Sequence, residues 1–289
     1  MDISLMTVSF PVDQETAREI MTLIQLTEKQ DQLSYEQVLN LFAMTDESVK
    51  GFVVLAYDEE ELVGVVSAID MIGVHSYEWS GLVQPSYRKQ GIGQALVSAL
   101  AKNLEMRGAE SELALAIKDA PNAKQFFDSL NYEWNFSEAT MQADPANQNS
   151  ESQVHVYPLT SEHDEITQIL MTAFGDTEEE VHTLLNFNES NPSRHVYVAK
   201  INETCVGTVT VVEEEKSFWI TALATDASRR GQGIGSAILH FVLAEAKNRG
   251  VEKVMLDVEI DNAGALSIYE KAGFKTNLQV DYYVKTTTN

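Results

Sequence analysis

Two short stretches of this 289-residue chain carry residue types that can hold an anion. One is Arg229-Arg230-Gly231-Gln232-Gly233-Ile234-Gly235, which runs into Ser236-Ala237-Ile238-Leu239. The other is Tyr87-Arg88-Lys89-Gln90-Gly91-Ile92-Gly93, followed by Gln94-Ala95-Leu96-Val97. In each, an apolar strand-like run leads into Arg-x-x-Gly-x-Gly, and the turn opens an amphipathic helix. The first N–H groups of a helix lack an intrahelical acceptor, and aligned peptide dipoles leave partial positive charge there. Glycines let the backbone approach a phosphate, and the arginine adds formal charge. A Walker P-loop would need Gly-Lys-Ser/Thr at the helix start. Here Ser236 and Gln94 follow the last glycines, with no lysine. A dinucleotide fingerprint would need a third glycine where Ser236 stands, inside a parallel βαβ unit. The upstream elements read as antiparallel hairpins, so both nucleotide readings fail.

The elements that must position these turns occur twice. A strand over 3–10 precedes helical spacing over 14–28 and 35–44, then a hairpin signal over 52–57 and 62–67 around Asp58-Glu59-Glu60. A strand over 78–83 is closed by Pro85. The turn then opens a helix with Ile92, Ala95, Leu96, Ala99 and Leu100 on one face, ended by Arg107-Gly108. A buried strand over 113–117, a short helix over 123–130 and closing strands over 132–141 follow. Residues 144–152 are polar, lack large apolar groups and read as a linker. Beyond it come a strand over 154–159, helices over 162–174 and 178–187, and a hairpin over 195–200 and 204–212. A strand over 218–225, a long helix over 233–248, a strand over 254–259, a helix over 263–271 and last strands over 274–285 complete the second half. Arg230 and Arg88, Gly233 and Gly91, Gly235 and Gly93, Arg249 and Arg107, and Ala265 and Ala123 all differ by 142 (230−88). The span from turn to last helix therefore holds no insertion, and a period of domain length means duplicated domains.

Bulk properties exclude several function classes. With 44% apolar and 22% charged residues and six prolines, the composition is that of a globular protein. The net charge is −24, from 9 basic against 23 acidic residues through Asp144 (−14) and 11 against 21 beyond it (−10). Nucleic-acid binding, which needs basic surface to release phosphate counterions, is disfavoured. The acidity reads as a solvated surface, and secondarily as an approach that attracts cationic amines. The lone Cys205 excludes an intrachain disulfide and reads as a small core residue. No apolar run approaches the ~20 residues of a membrane helix, so no membrane partner and a cytoplasmic location are expected. No His/Cys/Asp/Glu cluster has metal-ligand spacing, so no metal is expected.

Leu82-Val83-Gln84-Pro85-Ser86-Tyr87-Arg88-Lys89-Gln90-Gly91-Ile92-Gly93 resembles the strand-turn-helix signature of the GNAT superfamily of acetyl-CoA-dependent acyltransferases. The stretch over 223–235 is similar, with Ala227 where the first copy has Pro85. The run from Asn262 through Ala265 and Tyr269 to Gly273-Phe274 resembles that family's second motif. The resemblance implies an α+β (mixed α/β) fold of two tandem GNAT domains, each a mostly antiparallel central sheet flanked by helices. It places them at 1–143 and 154–289 around a 144–153 linker, a layout similar to that of the mycothiol synthases, without identifying mycothiol as substrate. The implied activity is transfer of acetyl from acetyl-CoA, as co-substrate, to a primary amine of a small molecule by direct attack. A non-catalytic acyl-CoA-binding or regulatory protein, and an acyltransferase acting on protein amines, are the alternatives. Two domains in one chain can replace the dimer that single-domain relatives form, so a monomer is preferred over a homodimer.

By the same resemblance, the backbone of Leu223, Ala224 and Thr225 pairs with the pantetheine arm like an added strand. The N–H groups of Gly231, Gln232, Gly233, Ile234 and Gly235 hold the CoA pyrophosphate, flanked by Arg230. Asn262 hydrogen-bonds the co-substrate, and Tyr269 protonates the departing thiolate. In the first half the matching cofactor-binding positions are Leu82, Val83, Arg88, Lys89, Gln90, Gly91, Ile92 and Gly93. There the offset puts Phe127 at the Tyr269 position, Ala120 at Asn262 and Asn131 at Gly273, with Asn122 as a nearby amide. Phenylalanine cannot donate a proton, so the first half is expected to keep the phosphate cradle and lack the acid, leaving the reaction to the C-terminal domain. The base stays open among Glu213, Glu214, Glu259 and a bound water, with Glu213 and Glu214 reading as a solvated hairpin end. Glu78 lies on the corresponding strand of the first half. Nothing over 162–187 is diagnostic of the acceptor.

Overall fold

Apolar alternation and helical spacing yield twelve strands and nine helices among the residues that the computed structural model describes, which are 2–70, 73, 75–147, 152–214 and 216–286. Residues 148–151 of the expected linker, and 287–289 of the expected second domain, lie outside the described residues. In the first half the order is β1 (Ile3–Ser9), α1 (Gln14–Asp31), α2 (Glu36–Leu39), α3 (Leu41–Thr45), β2 (Lys50–Asp58), β3 (Glu61–Asp70), β4 (Ser76–Val83), α4 (Ile92–Met106), β5 (Ser111–Ile117), α5 (Ala123–Ser129) and β6 (Tyr132–Ala143). The second half repeats it as β7 (His155–Pro158), α6 (His163–Phe174), α7 (Glu178–Ser190), β8 (Arg194–Ile201), β9 (Thr204–Glu213), β10 (Ser217–Thr225), α8 (Ile234–Asn248), β11 (Lys253–Glu259), α9 (Ala263–Lys271) and β12 (Lys275–Lys285). No described helix is long and apolar enough to cross a membrane.

Two details depart from the sequence reading. The helix expected over 35–44 is two short helices, because Asn40 takes a left-handed conformation (φ 50°) and its Oδ1 caps the second by accepting from Ala43 N–H. The closing strands expected over 132–141 and 274–285 are one long strand each, since neither stretch contains a turn dipeptide.

The chain forms two compact units, Met1–Ser137 with Gln279–Asn289 and Glu138–Leu278. This differs from the linear division at 144–153, because each long closing strand is shared out between the units. Glu138–Ala143 of β6 pairs antiparallel with β11 inside unit 2, and Val280–Tyr283 of β12 pairs antiparallel with β5 inside unit 1. In unit 1, β1 to β4 form an antiparallel meander and β4 pairs parallel with β5. In unit 2, β7 to β10 repeat the meander and β10 pairs parallel with β11. Each sheet is thus mostly antiparallel and flanked by helices.

The core of unit 2 under α8 contains Ile234, Ile238, Leu239, Val242 and Leu243 against Phe218, Ile220, Val254, Leu256 and Phe274. A separate cluster joins Ile166, Leu170, Val181 and Leu185 of α6 and α7 to Val196, Val198 and Ala224 on the other face. In unit 1, α4 packs Ile92, Leu96, Val97 and Leu100 on Phe52, Val54, Val66 and Trp79. Burying a Leu, Ile or Phe side chain contributes about 1.5–3 kcal/mol, so these clusters hold the strand ends and turns in place.

Candidate active site

In both units the parallel strand pair comes apart before its strands end. The β10–β11 ladder stops at Ile220 opposite Leu256, and the β4–β5 ladder stops at Trp79 opposite Ala114. The strand ends beyond those pairs leave a wedge beside the glycine turn.

The two wedges are built differently. In unit 2, Thr221 pairs with Thr210 and Ala224 with Thr208, so three steps on β10 match two on β9 and Ala222-Leu223 form a β-bulge. Ala222 has φ 48°, a left-handed conformation that costs a non-glycine residue about 1–2 kcal/mol. The bulge reverses the alternation of the strand. Phe218 and Ile220 pack under α8, whereas Ala222 and Ala224 pack with α6 and α7. The Ala222-Leu223 backbone falls outside the β9 register and beyond the last β11 pair, so it lies where the regular ladder is interrupted. In unit 1, β4 pairs with β3 without a shift from Glu78 to Val83.

The turn of unit 2 is an open cradle. Gly231 and Gly233 both have φ 78°, and a Cβ added at either would meet no atom within 4 Å. Gly233 is the N-cap of α8 and no side chain caps the helix, so its first N–H groups face open space. Arg230 is exposed and has no side-chain partner among the described residues. Leu223 and Thr225 are half-buried, Ala224 is buried, Gln232 is exposed, Ile234 begins α8 in the core and Gly235 follows it.

Asn262 caps α9, its Oδ1 accepting from Ala265 N–H at 3.1 Å, which leaves its amide N–H groups to donate elsewhere. Tyr269 packs on the core and beside Phe274, 6.1 Å between ring centroids. Burial raises its phenol above the usual range, and the hydroxyl has no partner among the described residues. Of the carboxylates considered as base, Glu213 binds Arg249 (2.8 Å) and His195 (3.1 Å) at the hairpin end. Glu214 accepts from Trp219 Nε1 and Ser217 Oγ in the same place. Glu259 is exposed at the end of β11, opposite Glu138. A further carboxylate, Asp257, is not among the candidates that the sequence offers; its Oδ1 accepts from Thr140 Oγ1 at 2.6 Å. The residues are 117 apart in sequence, so spacing alone carried no signal. Cys205 packs against the α6–α7 cluster, and burial pushes its thiol up, as for a core residue.

Unit 1 has a cleft of about 420 Å³ at the matching place, lined by Leu82, Val83, Arg88, Lys89, Gly91 and Gly93 and walled by Trp79, Leu115, Phe126 and Phe127. Ile92 lies in the core, and the Gln90 amide donates to Ser86 C=O. Gly91 (φ 85°) is the N-cap of α4, but Lys89 holds φ 61° where unit 2 has Gly231. The Arg88 guanidinium is committed: Nε donates to Val83 C=O and both terminal nitrogens donate to the Asp31 carboxylate, which also accepts from Tyr35 OH. Burial would lift Asp31, but the Arg88 and Tyr35 hydrogen bonds outweigh it and hold the carboxyl below the usual range. Phe127 is buried and stacked on Tyr283 at 4.4 Å, within 6 Å of Trp79 and Tyr132. Asn122 lines the cleft in a left-handed conformation and makes no capping bond.

The family model described as "Acetyltransferase (GNAT) family" matches residues 16–132 and 163–274. Human N-acetyltransferase 8B is 33% identical over 94 residues, which is 30% of this chain and 41% of that protein. The chain therefore matches less than half the length of this curated relative. A GCN5-related N-acetyltransferase from Sphaerobacter thermophilus superposes with a TM-score of 0.76 at 20% identity, covering 96% of this chain and 95% of that one. A tandem GNAT protein from the clavulanic acid biosynthesis pathway does so at 0.71 and 13% identity, covering 99% and 100%. At these identities the solved structures establish the fold.

Proposed function

The chain belongs to the GNAT acetyltransferase family, and from that premise we propose that unit 2 transfers acetyl from acetyl-CoA to the primary amine of a small molecule by direct attack. The observation that carries this reading is that unit 2 alone combines a bulged strand, an uncapped double-glycine turn and an unpartnered tyrosine hydroxyl seven residues after an asparagine N-cap. The turn fits a pyrophosphate, since the space over Gly231 and Gly233 is empty and Arg230 is uncommitted.

In this reading the N–H groups from Gly231 to Gly235 and Arg230 hold the pyrophosphate, and the backbone of Leu223 to Thr225 holds the pantetheine arm in extended form. An N–H of the Ala222-Leu223 bulge stabilises the oxyanion that forms when the amine attacks the thioester carbon. Tyr269 gives its proton to the thiolate as the C–S bond breaks, and the tyrosinate recovers a proton from the new C–N centre. The Asn262 amide holds the co-substrate near α9.

Unit 1 supports a second reading for itself. Its cleft retains the turn, but Phe127 has no proton to give and β4 has no bulge, so it binds a CoA ester without turnover. The test is CoA release against an amine panel for wild type and Tyr269→Phe, with calorimetry of acetyl-CoA on Arg88→Ala and Arg230→Ala. Turnover lost in Tyr269→Phe supports the assignment. Full activity in that variant removes Tyr269 from the mechanism, and tight binding without turnover on any amine makes the whole chain a binding protein.

A further inference from the structure

We propose that Asp257, held by Thr140, is the base that takes the proton from the acceptor ammonium in unit 2; the assignment rests on the transfer reading above. The position is set by the strands. Asp257 is the first residue of β11 past the last β10–β11 pair, so it stands at the root of the wedge, beside Thr221 and the Ala222-Leu223 bulge. Val254, Leu256 and Val258 point into the core under α8, which puts Asp257 on the opposite face. That is the face to which the bulge turns Ala222 and Ala224. Thr140 lies directly opposite Asp257 in the β11–β6 register, and its hydroxyl donates to Oδ1 at 2.6 Å. Oδ2 has no partner among the described residues, and the side chain is open to water.

Unit 1 supplies an internal contrast. Its residue at the same place, first past the last β4–β5 pair, is Leu115, a wall of the cleft. The unit that lacks the tyrosine acid also lacks this carboxylate.

The surroundings suit a base for an amine. Asp257 is reached by water but sits among enough protein that lost solvation pushes its carboxyl above the usual range, while the Thr140 hydrogen bond pulls it back. On this face Glu259 and Lys253 share β11 with it, and Glu138 lies on β6 opposite Glu259. Thr221 and Trp219 of β10 carry no titrating group. The side chains that α6 and α7 turn inward are apolar or neutral, with the acidic residues of both helices exposed. The proton balance is simple. The ammonium gives one proton to Asp257 Oδ2 and becomes the free amine, which forms the C–N bond. Asp257 then releases that proton to water, which is the net proton of the reaction.

The test is the pH profile of kcat/KM with the best amine from the panel. In wild type an acid limb reports a single group. Asp257→Asn, isosteric, should lower kcat/KM by about 100-fold or more at neutral pH. Its remaining rate should follow the fraction of free amine as pH rises, with acetyl-CoA affinity and melting temperature retained. Thr140→Val should move the acid limb upward, because the lost hydrogen bond favoured the charged form, and Thr140→Ser should move it back. Activity of Asp257→Asn within about threefold of wild type with the acid limb unchanged overturns the assignment and leaves the transfer reading standing. A limb that stays put in Thr140→Val removes Thr140 as the positioning residue. A wild-type protein that acetylates no amine overturns the transfer reading and this assignment with it.

Discussion

Unit 1 and unit 2 share a meander, a parallel pair that opens into a wedge, and a glycine turn that starts a long helix. They differ at each point where a proton or a developing charge would be handled. Tyr269 is matched by buried Phe127, Asp257 by Leu115, Gly231 by Lys89, and uncommitted Arg230 by an Arg88 bound to Asp31. The strand beside the wedge is bulged in unit 2 and straight in unit 1. The difference teaches that an open glycine turn is a backbone property, so it survives substitution of the side chains around it. A tyrosine hydroxyl, a carboxylate or a strand bulge depends on single residues, and a single substitution or a one-residue change in strand length removes it.

The contrast can be broken from either side. The largest effect should come from Tyr269→Phe, which makes unit 2 match unit 1 and should lower kcat by about 100-fold, read as CoA release. The reverse change, Phe127→Tyr, should confer no turnover on the Tyr269→Phe background, because the bulge and Asp257 are still missing from unit 1. Next in size, Asp31→Asn should destabilise unit 1 by about 2–4 kcal/mol in denaturant unfolding by leaving Arg88 without its charge partner. The same pair gives a pH signature. The folded Asp31 carboxyl is depressed, so its contribution is present above the ordinary Asp range and disappears as pH falls through the depressed value. Wild-type unit 1 should therefore lose stability in acid more steeply than the Asp31→Asn variant. Gly233→Ala puts a Cβ on a left-handed residue and should cost about 1–2 kcal/mol, with weaker acetyl-CoA binding by calorimetry. The smallest effect is Lys89→Gly, which relieves the φ 61° backbone and should raise stability by about 1 kcal/mol, seen as a melting shift of a few degrees.

Much of the fold is legible in the amino-acid sequence. Hairpin signals, the glycine turns and the 142-residue offset locate the long helices and the inner strands to within a few residues, because hydrophobic period and turn chemistry are local. Asn40 shows where locality fails. Helical spacing over 35–44 is real, but one left-handed asparagine that caps the next helix divides it. The bulge shows a second limit. The constant offset holds from Arg88 onward, and the extra β10 residue lies just before that point, visible only as a register shift against β9. Asp257 shows a third, since its partner Thr140 comes from the other half of the sequence.

By itself, the sequence determined that two similar domains follow one another, that each carries an Arg-x-x-Gly-x-Gly turn at the start of a long helix, and that only the second carries a tyrosine at the matching helical position. Those are properties of residue type and spacing, which the chain carries wherever it goes. Tertiary structure alone decided which residues complete each unit, that Arg88 is committed to Asp31 while Arg230 is free, and that Asp257 stands at the root of the wedge beside a bulge. Pairing register, burial and the fate of a charge depend on partners far away in sequence, and those are set only when the chain is folded.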